Sequence, residues 1–258
     1  MFRQGFSQNY ELNMNGGSDN TRFFVSMGMF DQEGTDLRSR LRRYTGRFNL
    51  NHVVGKLTMD WNTLVGYSII DYNEGEFLGN SARNPFQMAW RSKPYENPYR
   101  PDGTLIYGAS TSLALKQVGN VLEGLENSIW TENRMKVNSG LTLAFKILPN
   151  LVARNTLGID AQFNRGSRGV KANSYVGSLV SPSNAGYQSE GSQTVSQIIN
   201  TSSLIWNPKF GDMHDLELGG YFEALRGYTQ GFGSILYNLN PNLDYTGQQA
   251  GAQPGGPA

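Results

Sequence analysis

Leu57-Thr58-Met59-Asp60-Trp61-Asn62-Thr63-Leu64-Val65-Gly66-Tyr67-Ser68-Ile69-Ile70 decides the fold. Leu57, Met59, Trp61, Thr63, Val65, Tyr67 and Ile69 take one side. Thr58, Asp60, Asn62, Gly66 and Ser68 take the other, with Leu64 and Ile70 as exceptions. A period of two means a strand with one apolar face, because successive side chains of a strand point to opposite sides. At ~3.3 Å per residue the run exceeds ~40 Å. A membrane strand needs only about 9–11 tilted residues to cross the hydrocarbon, so the surplus would project beyond a bilayer.

The same alternation recurs on both sides of this stretch. Tyr10, Leu12 and Met14 oppose Asn9, Glu11, Asn13 and Asn15, and Phe23, Val25, Met27 and Met29 oppose Phe24, Ser26, Gly28 and Phe30. Tyr44, Gly46, Phe48 and Leu50 oppose Thr45, Arg47, Asn49 and Asn51. Further on, Met135, Val137, Leu141, Leu143 and Phe145 oppose Arg134, Lys136, Asn138, Gly140 and Thr142. Leu151, Ala153, Leu157, Ile159, Ala161 and Phe163 oppose Val152, Arg154, Thr156, Asp160 and Gln162. A seventh strand is expected over 197–206, with faces that its weak pattern leaves unassigned. An eighth is expected over 214–226, with Leu216, Leu218, Gly220, Phe222 and Ala224 against Asp215, Glu217, Gly219, Tyr221 and Glu223.

The connections alternate in length. Stretches 16–20, 53–56, 147–150 and 207–212 are short, whereas 32–42, 74–129 and 164–196 are long, polar and rich in Gly or Pro. An outer-membrane barrel has short periplasmic turns and long extracellular loops. The expected fold is therefore all-β, an antiparallel meander of about eight long strands within a transmembrane β-barrel. Residues 1–246 form the partial barrel domain, with long extracellular loops at about 74–129 and 164–196, and 247–258 is a disordered tail or truncated loop. Within 74–129, Asn84-Pro85 reads as a helix start, with Phe86, Met88, Ala89 and Trp90 on the helix. Residues 112–125 place Leu115, Val118, Leu122 and Leu125 at helical spacing.

Composition narrows the function. Charged residues are 17% of the chain, against ~25% for ordinary globular proteins. There are no cysteines, and the formal net charge of +1 gives no case for nucleic acid as a partner. The mean hydropathy of −0.46 does not exclude a membrane, because only every second side chain of a barrel strand meets lipid. The N-terminal residues Met1-Phe2-Arg3-Gln4-Gly5 have no apolar h-region, so no signal peptide is expected.

No residue pattern suggests catalysis, a cofactor or a metal. His52 and His214 lack second ligands at metal spacing and read as interfacial residues. Asp71-Tyr72-Asn73-Glu74-Gly75 mimics the start of a calcium loop but lacks the downstream bidentate Glu, so it reads as a solvated loop. Arg38, Arg40, Arg42 and Arg43 could meet lipopolysaccharide phosphates, although a solvated loop is the plainer reading. Trp90, Tyr95, Tyr99 and Tyr107 could stack on sugars or touch a lid partner, or pack the loop on itself. Trp61, Tyr67 and Trp206 are candidates for lipid-facing aromatic girdles. Arg134, Lys136, Arg154 and Asp160 are expected to line a wet lumen.

The motifs Gly5-Phe6-Ser7-Gln8-Asn9-Tyr10, Gly16-Gly17, Phe23-Phe24-Val25-Ser26-Met27-Gly28-Met29-Phe30-Asp31-Gln32-Glu33-Gly34 and Arg43-Tyr44-Thr45-Gly46-Arg47-Phe48-Asn49-Leu50-Asn51 resemble SusC/RagA-type TonB-dependent outer-membrane transporters. Asn97-Pro98-Tyr99-Arg100-Pro101-Asp102-Gly103 resembles a loop of the same family. The resemblance implies a 22-stranded barrel enclosing an N-terminal plug. It also implies import of glycans, peptides or other bulky nutrients with TonB energy, and a SusD-like surface lipoprotein as partner. The signal peptide, plug, TonB-box region and closing strand are not found, so an internal barrel fragment, lodged in outer-membrane lipid, is expected. The rival reading is a soluble or surface-attached carbohydrate-binding β-protein. A β-rich glycan hydrolase stands third, because no spacing ties a carboxylate pair to one cleft.

Overall fold

The computed structural model describes residues 2–72, 85–91, 95, 97–107, 119–180, 186–210, 214–237 and 239. One antiparallel sheet dominates. Its strands are β1 (Ser7–Gly17), β2 (Thr21–Glu33), β3 (Arg40–Val54), β4 (Leu57–Asp71), β5 (Ser128–Leu148), β6 (Leu151–Val170), β7 (Tyr187–Trp206) and β10 (Leu218–Tyr237). They lie side by side in chain order, eight strands in all. A small hairpin of β8 (Lys209–Phe210) and β9 (His214–Asp215) interrupts the connection between β7 and β10.

The register follows from the alternation. Val54 pairs with Leu57, so β3 and β4 are joined by the two-residue turn Gly55-Lys56. Gly55 takes φ of +56°, the positive value that the first central position of a II′ hairpin turn requires. Trp61 then pairs with Leu50 on β3 and Leu141 on β5, and Leu141 pairs with Leu157 on β6. Directly paired residues of an antiparallel sheet share a face. All the apolar sets read from the separate strands therefore fall on the same side of one sheet. The pairing also assigns β7, where Ile198, Leu204 and Trp206 join that side.

Several boundaries differ from the sequence expectation. β6 continues to Val170 and β7 already begins at Tyr187, so their connection is 171–186 and not 164–196. Residues such as Arg165, Ser167, Ser189 and Glu190 pair across this extension, and strands that leave the apolar belt have no apolar face to reveal them. β10 begins at Leu218, not at 214, because His214 and Asp215 pair with Phe210 and Lys209. The connection after β7 is thus 207–217, longer than the 207–212 turn expected. The expected helix over 112–125 is reduced, within the described residues, to α2 (Val121–Glu126), while α1 (Pro85–Arg91) matches the predicted Pro-led start. The tail 247–258 lies outside the described residues.

Among the described residues no second layer covers either face of the strands, and most of the buried apolar side chains gather at the long-connection end. Met88 of α1 and Val121 and Leu125 of α2 form one small cluster with Leu37 and Leu122. Val176 of α3 (Tyr175–Val180) packs on Val170 and Tyr187, with Tyr175 beside them. Asn120 holds the first cluster together. Its Oδ1 accepts the Leu122 N–H at 3.1 Å as the N-cap of α2, and its Nδ2 donates to the carbonyls of Pro98 and Ile106 at 2.9 and 3.0 Å. Ser174 caps α3 by accepting the Gly177 N–H at 2.9 Å.

Candidate functional site

The two faces of the sheet are chemically opposite. On the apolar side the large hydrophobic residues stand uncovered: Leu12 is 75% exposed and Phe222 67% exposed. A water-soluble sheet of this size would bury such a face against another layer. Polar groups within this side are bonded to one another. Thr63 Oγ1 and Ser139 Oγ lie 2.7 Å apart, and the Trp61 indole donates to Ser139 at 3.2 Å. Asn155 Nδ2 donates to Ser202 Oγ at 2.9 Å and to Asn200 Oδ1 at 3.2 Å. Such pairing lowers the cost of placing polar atoms in an apolar surrounding. On β10 Arg226 interrupts this side opposite Ile198, between Ala224 and Tyr228.

Trp61, Tyr67 and Trp206 all lie on the apolar side. Trp206 ends β7 at the short-connection end, paired with Leu151 and Leu218. Tyr67 lies toward the long-connection end, with its hydroxyl donating to Asn133 Oδ1 at 3.4 Å. Trp61 sits between these levels, with its ring edge-on to Phe48 at 5.1 Å.

Arg134, Lys136, Arg154 and Asp160 all lie on the opposite, polar side. Lys136 Nζ is 3.5 Å from Asp160, which also accepts from Asn138 at 3.3 Å. Arg134 forms a two-pronged pair with Glu132 at 2.5 and 2.9 Å, and the Tyr72 hydroxyl donates to the same carboxylate at 2.9 Å. Beside them the polar side holds a shallow hollow of about 460 Å³ lined by Trp130, Glu132, Asn164, Gly166, Gln193 and Gly231. Sequence reasoning missed this hollow. Its glycine floor appears only when Gly166 is paired with Gly191, from strands that read as a loop.

The arginine cluster does not converge. Arg40 is bound by both oxygens of Asp31 at 2.8 and 2.6 Å. Arg42 lies 3.9 Å from Asp71, and Arg43 is on the polar side over the Phe30 ring at 5.3 Å. Arg38 reaches instead to the Leu125 carbonyl. Asp31 and Asp71 thus offset the charges of Arg40 and Arg42 and hold these two guanidiniums apart from Arg38 and Arg43. His52 shares a 2.8 Å hydrogen bond with Thr21 Oγ1. Among the described residues, no three His, Asp or Glu side chains gather to hold a metal. Asn73, Glu74 and Gly75 of the calcium-loop mimic lie outside the described residues.

Of the loop aromatics, Tyr95 and Tyr99 are exposed, and Tyr107 meets Tyr175 edge-on at 6.2 Å. Trp90 lies on α1, and its side chain is outside the described residues. Tyr99 pairs with Leu105 across the 100–104 turn, where Asp102 accepts from the Thr104 N–H and hydroxyl. Those two bonds hold the Asp102 carboxyl below its ordinary range.

These features define a class: one wall of an antiparallel β-barrel, apolar on one side and polar on the other. Comparison with known proteins narrows it. The fold matches the RagAB peptide importer in its 'closed-closed' state with a TM-score of 0.74, at 18% identity over 92% of this chain and 26% of that one. The 'open-open' state gives 0.71, at 18% identity over 90% of this chain and 25% of the other. In sequence, the chain is 23% identical over 231 residues to the TonB-dependent receptor P3 of Formosa agariphila, covering 86% of this chain and 22% of that protein. No family model matches. The chain thus spans about a quarter of the length of these relatives. Fold and sequence likeness both support the resemblance to SusC/RagA-type TonB-dependent receptors.

Proposed function

We propose that this chain is part of the barrel wall of an outer-membrane, TonB-energised importer of peptides, glycans or similarly bulky nutrients. The apolar side meets lipid, and the polar side, with Arg134, Lys136, Arg154 and Asp160, lines the hydrated passage. Trp206 and Tyr67 sit near the two interfaces of the bilayer, and Trp61 contacts lipid between them. The long connections face the cell surface, where a SusD-like lipoprotein would cover them and where Tyr95, Tyr99, Tyr107 and Trp90 could touch ligand or lid. The full barrel would have 22 strands.

The observation that carries this reading is the uncovered apolar belt backed by a charged, hydrogen-bonded face. The likeness to a peptide importer favours peptides as cargo, and the hollow beside Trp130 is large enough for one or two residues of such a ligand. Uptake by cells that carry the full-length protein tests the proposal. Labelled oligopeptides or oligosaccharides should accumulate, and accumulation should stop when TonB is deleted. Uptake that continues undiminished without TonB would refute energised import.

A further inference from the structure

Glu123 stands out among the ionisable groups of the cap. It is 5% exposed, yet it lies on the short helix α2 at the rim of the sheet. Its Oε1 accepts two hydrogen bonds, from the Tyr175 N–H at 3.1 Å and from Asn127 Nδ2 at 3.0 Å. Its Oε2 is buried and has no hydrogen-bond partner among the described residues. Tyr175 opens α3, which belongs to the connection after β6, whereas α2 belongs to the connection after β4. The Tyr175–Glu123 bond therefore joins two separate long connections, 52 residues apart in sequence. By strand alternation, Val170 and Tyr187, on which α3 packs, belong to the polar side. The joined helices thus lean over the upper end of that side.

We propose that Glu123 is a proton-operated latch that ties α2 to α3 over the mouth of the polar face. A protonated carboxyl is neutral and keeps its carbonyl oxygen for both donors. An ionised one leaves a charged oxygen buried without a donor, which is far more costly than burying the neutral acid. Among the described residues the ionisable groups around it are few. Glu126 lies further along α2, Tyr175 is on α3, and Tyr107 meets Tyr175 edge-on. Lys171 follows β6 and donates its N–H to the Asn127 carbonyl, Arg38 binds the Leu125 carbonyl, and β5 brings its first carboxylate at Glu132.

Burial pushes the Glu123 carboxyl above the ordinary carboxylate range. The Tyr175 and Asn127 hydrogen bonds oppose the shift, and Glu126 adds to it. A carboxyl whose value is raised in the closed form contributes its stabilisation at low pH and loses it as pH rises through the raised value. The latch is therefore closed in acid and loosens as pH rises through the raised value. It rests on the cap geometry and stands whether or not the protein is an importer.

Hydrogen exchange on the full-length protein in detergent or bilayer tests it, read as protection factors so that intrinsic pH effects cancel. Protection of 174–178 should fall about tenfold for each pH unit by which closure raises the carboxyl, as the group ionises. Glu123→Gln should stay protected across the range, because its amide oxygen still serves both donors. Glu123→Ala should be weakly protected throughout. A wild-type profile that is flat in pH, or one that Glu123→Gln reproduces, would overturn the latch, whereas unchanged protection of β5 and β6 in every variant would show that the barrel wall stayed folded.

Discussion

Leu141 and Asn138 are three residues apart on β5 and face opposite ways. Leu141 pairs with Trp61 and Leu157 on the apolar side, and Asn138 pairs with Leu64 and Asp160 on the polar side. An arginine at mid-depth on a lipid-facing position costs about 2–4 kcal/mol, while a lumen position tolerates it. Leu141→Arg should therefore lower the heat-resistant, assembled fraction of the full-length protein on gels, and Asn138→Arg should leave it near wild type. Equal tolerance would overturn the face assignment. The Lys136–Asp160 pair is exposed on both partners, so Asp160→Asn should change the melting temperature little, in keeping with the ~0–1 kcal/mol of exposed ion pairs. At this scale the faces were legible, because alternation is a local signal. The roles of Asn120 and Glu123 were not. Their partners Pro98 and Tyr175 lie 22 and 52 residues away, and no local pattern announces a distant carbonyl or N–H.

Among the elements, the long belt strands were readable and their extensions were not. β5 has 21 residues, about 70 Å at ~3.4 Å each, of which the apolar belt occupies only the lower part. Above the belt neither face is continuously apolar, and apart from residues such as Val170 and Tyr187 the stretches 164–170 and 187–196 carry loop-like composition on strand backbone. Their stability comes from ladder pairing, and it depends on how the chain returns through 171–186. Gly186 ends that return with φ of +63°, and an added Cβ would collide with the Val170 carbonyl oxygen. Gly186→Ala should loosen the upper ends of β6 and β7 by more than ~1 kcal/mol, measured as lost exchange protection at 187–190 with the belt unaffected. Removing the stitch at Asn120 belongs to the same scale. Asn120→Ala removes the Nδ2 donor from the Ile106 carbonyl and the cap from the helix N-terminus, while the Pro98 carbonyl keeps the Ile106 N–H, so local opening of 97–107 should become easier by about 1–3 kcal/mol, seen as faster proteolysis in that segment. Cleavage at the wild-type rate would mean that the cap is held by its apolar cluster alone.

As a whole, the described residues form one layer of eight strands with its apolar side uncovered and with β1 and β10 at its margins. A water-soluble protein would fold a second layer onto that side, and an open edge in lipid would leave backbone groups unpaired. Both difficulties vanish if further strands close the barrel and lipid meets the belt, as the likeness to much longer relatives implies. The single most direct test uses spin labels at successive positions from Arg134 to Phe145 in the full-length protein in a bilayer. Quenching by oxygen, which concentrates in hydrocarbon, should peak at Met135, Val137, Leu141, Leu143 and Phe145. Quenching by a water-soluble nickel chelate should peak at Arg134, Lys136, Asn138 and Thr142. If instead the apolar set is shielded from both reagents, those side chains form a protein core, and the membrane-wall account is contradicted.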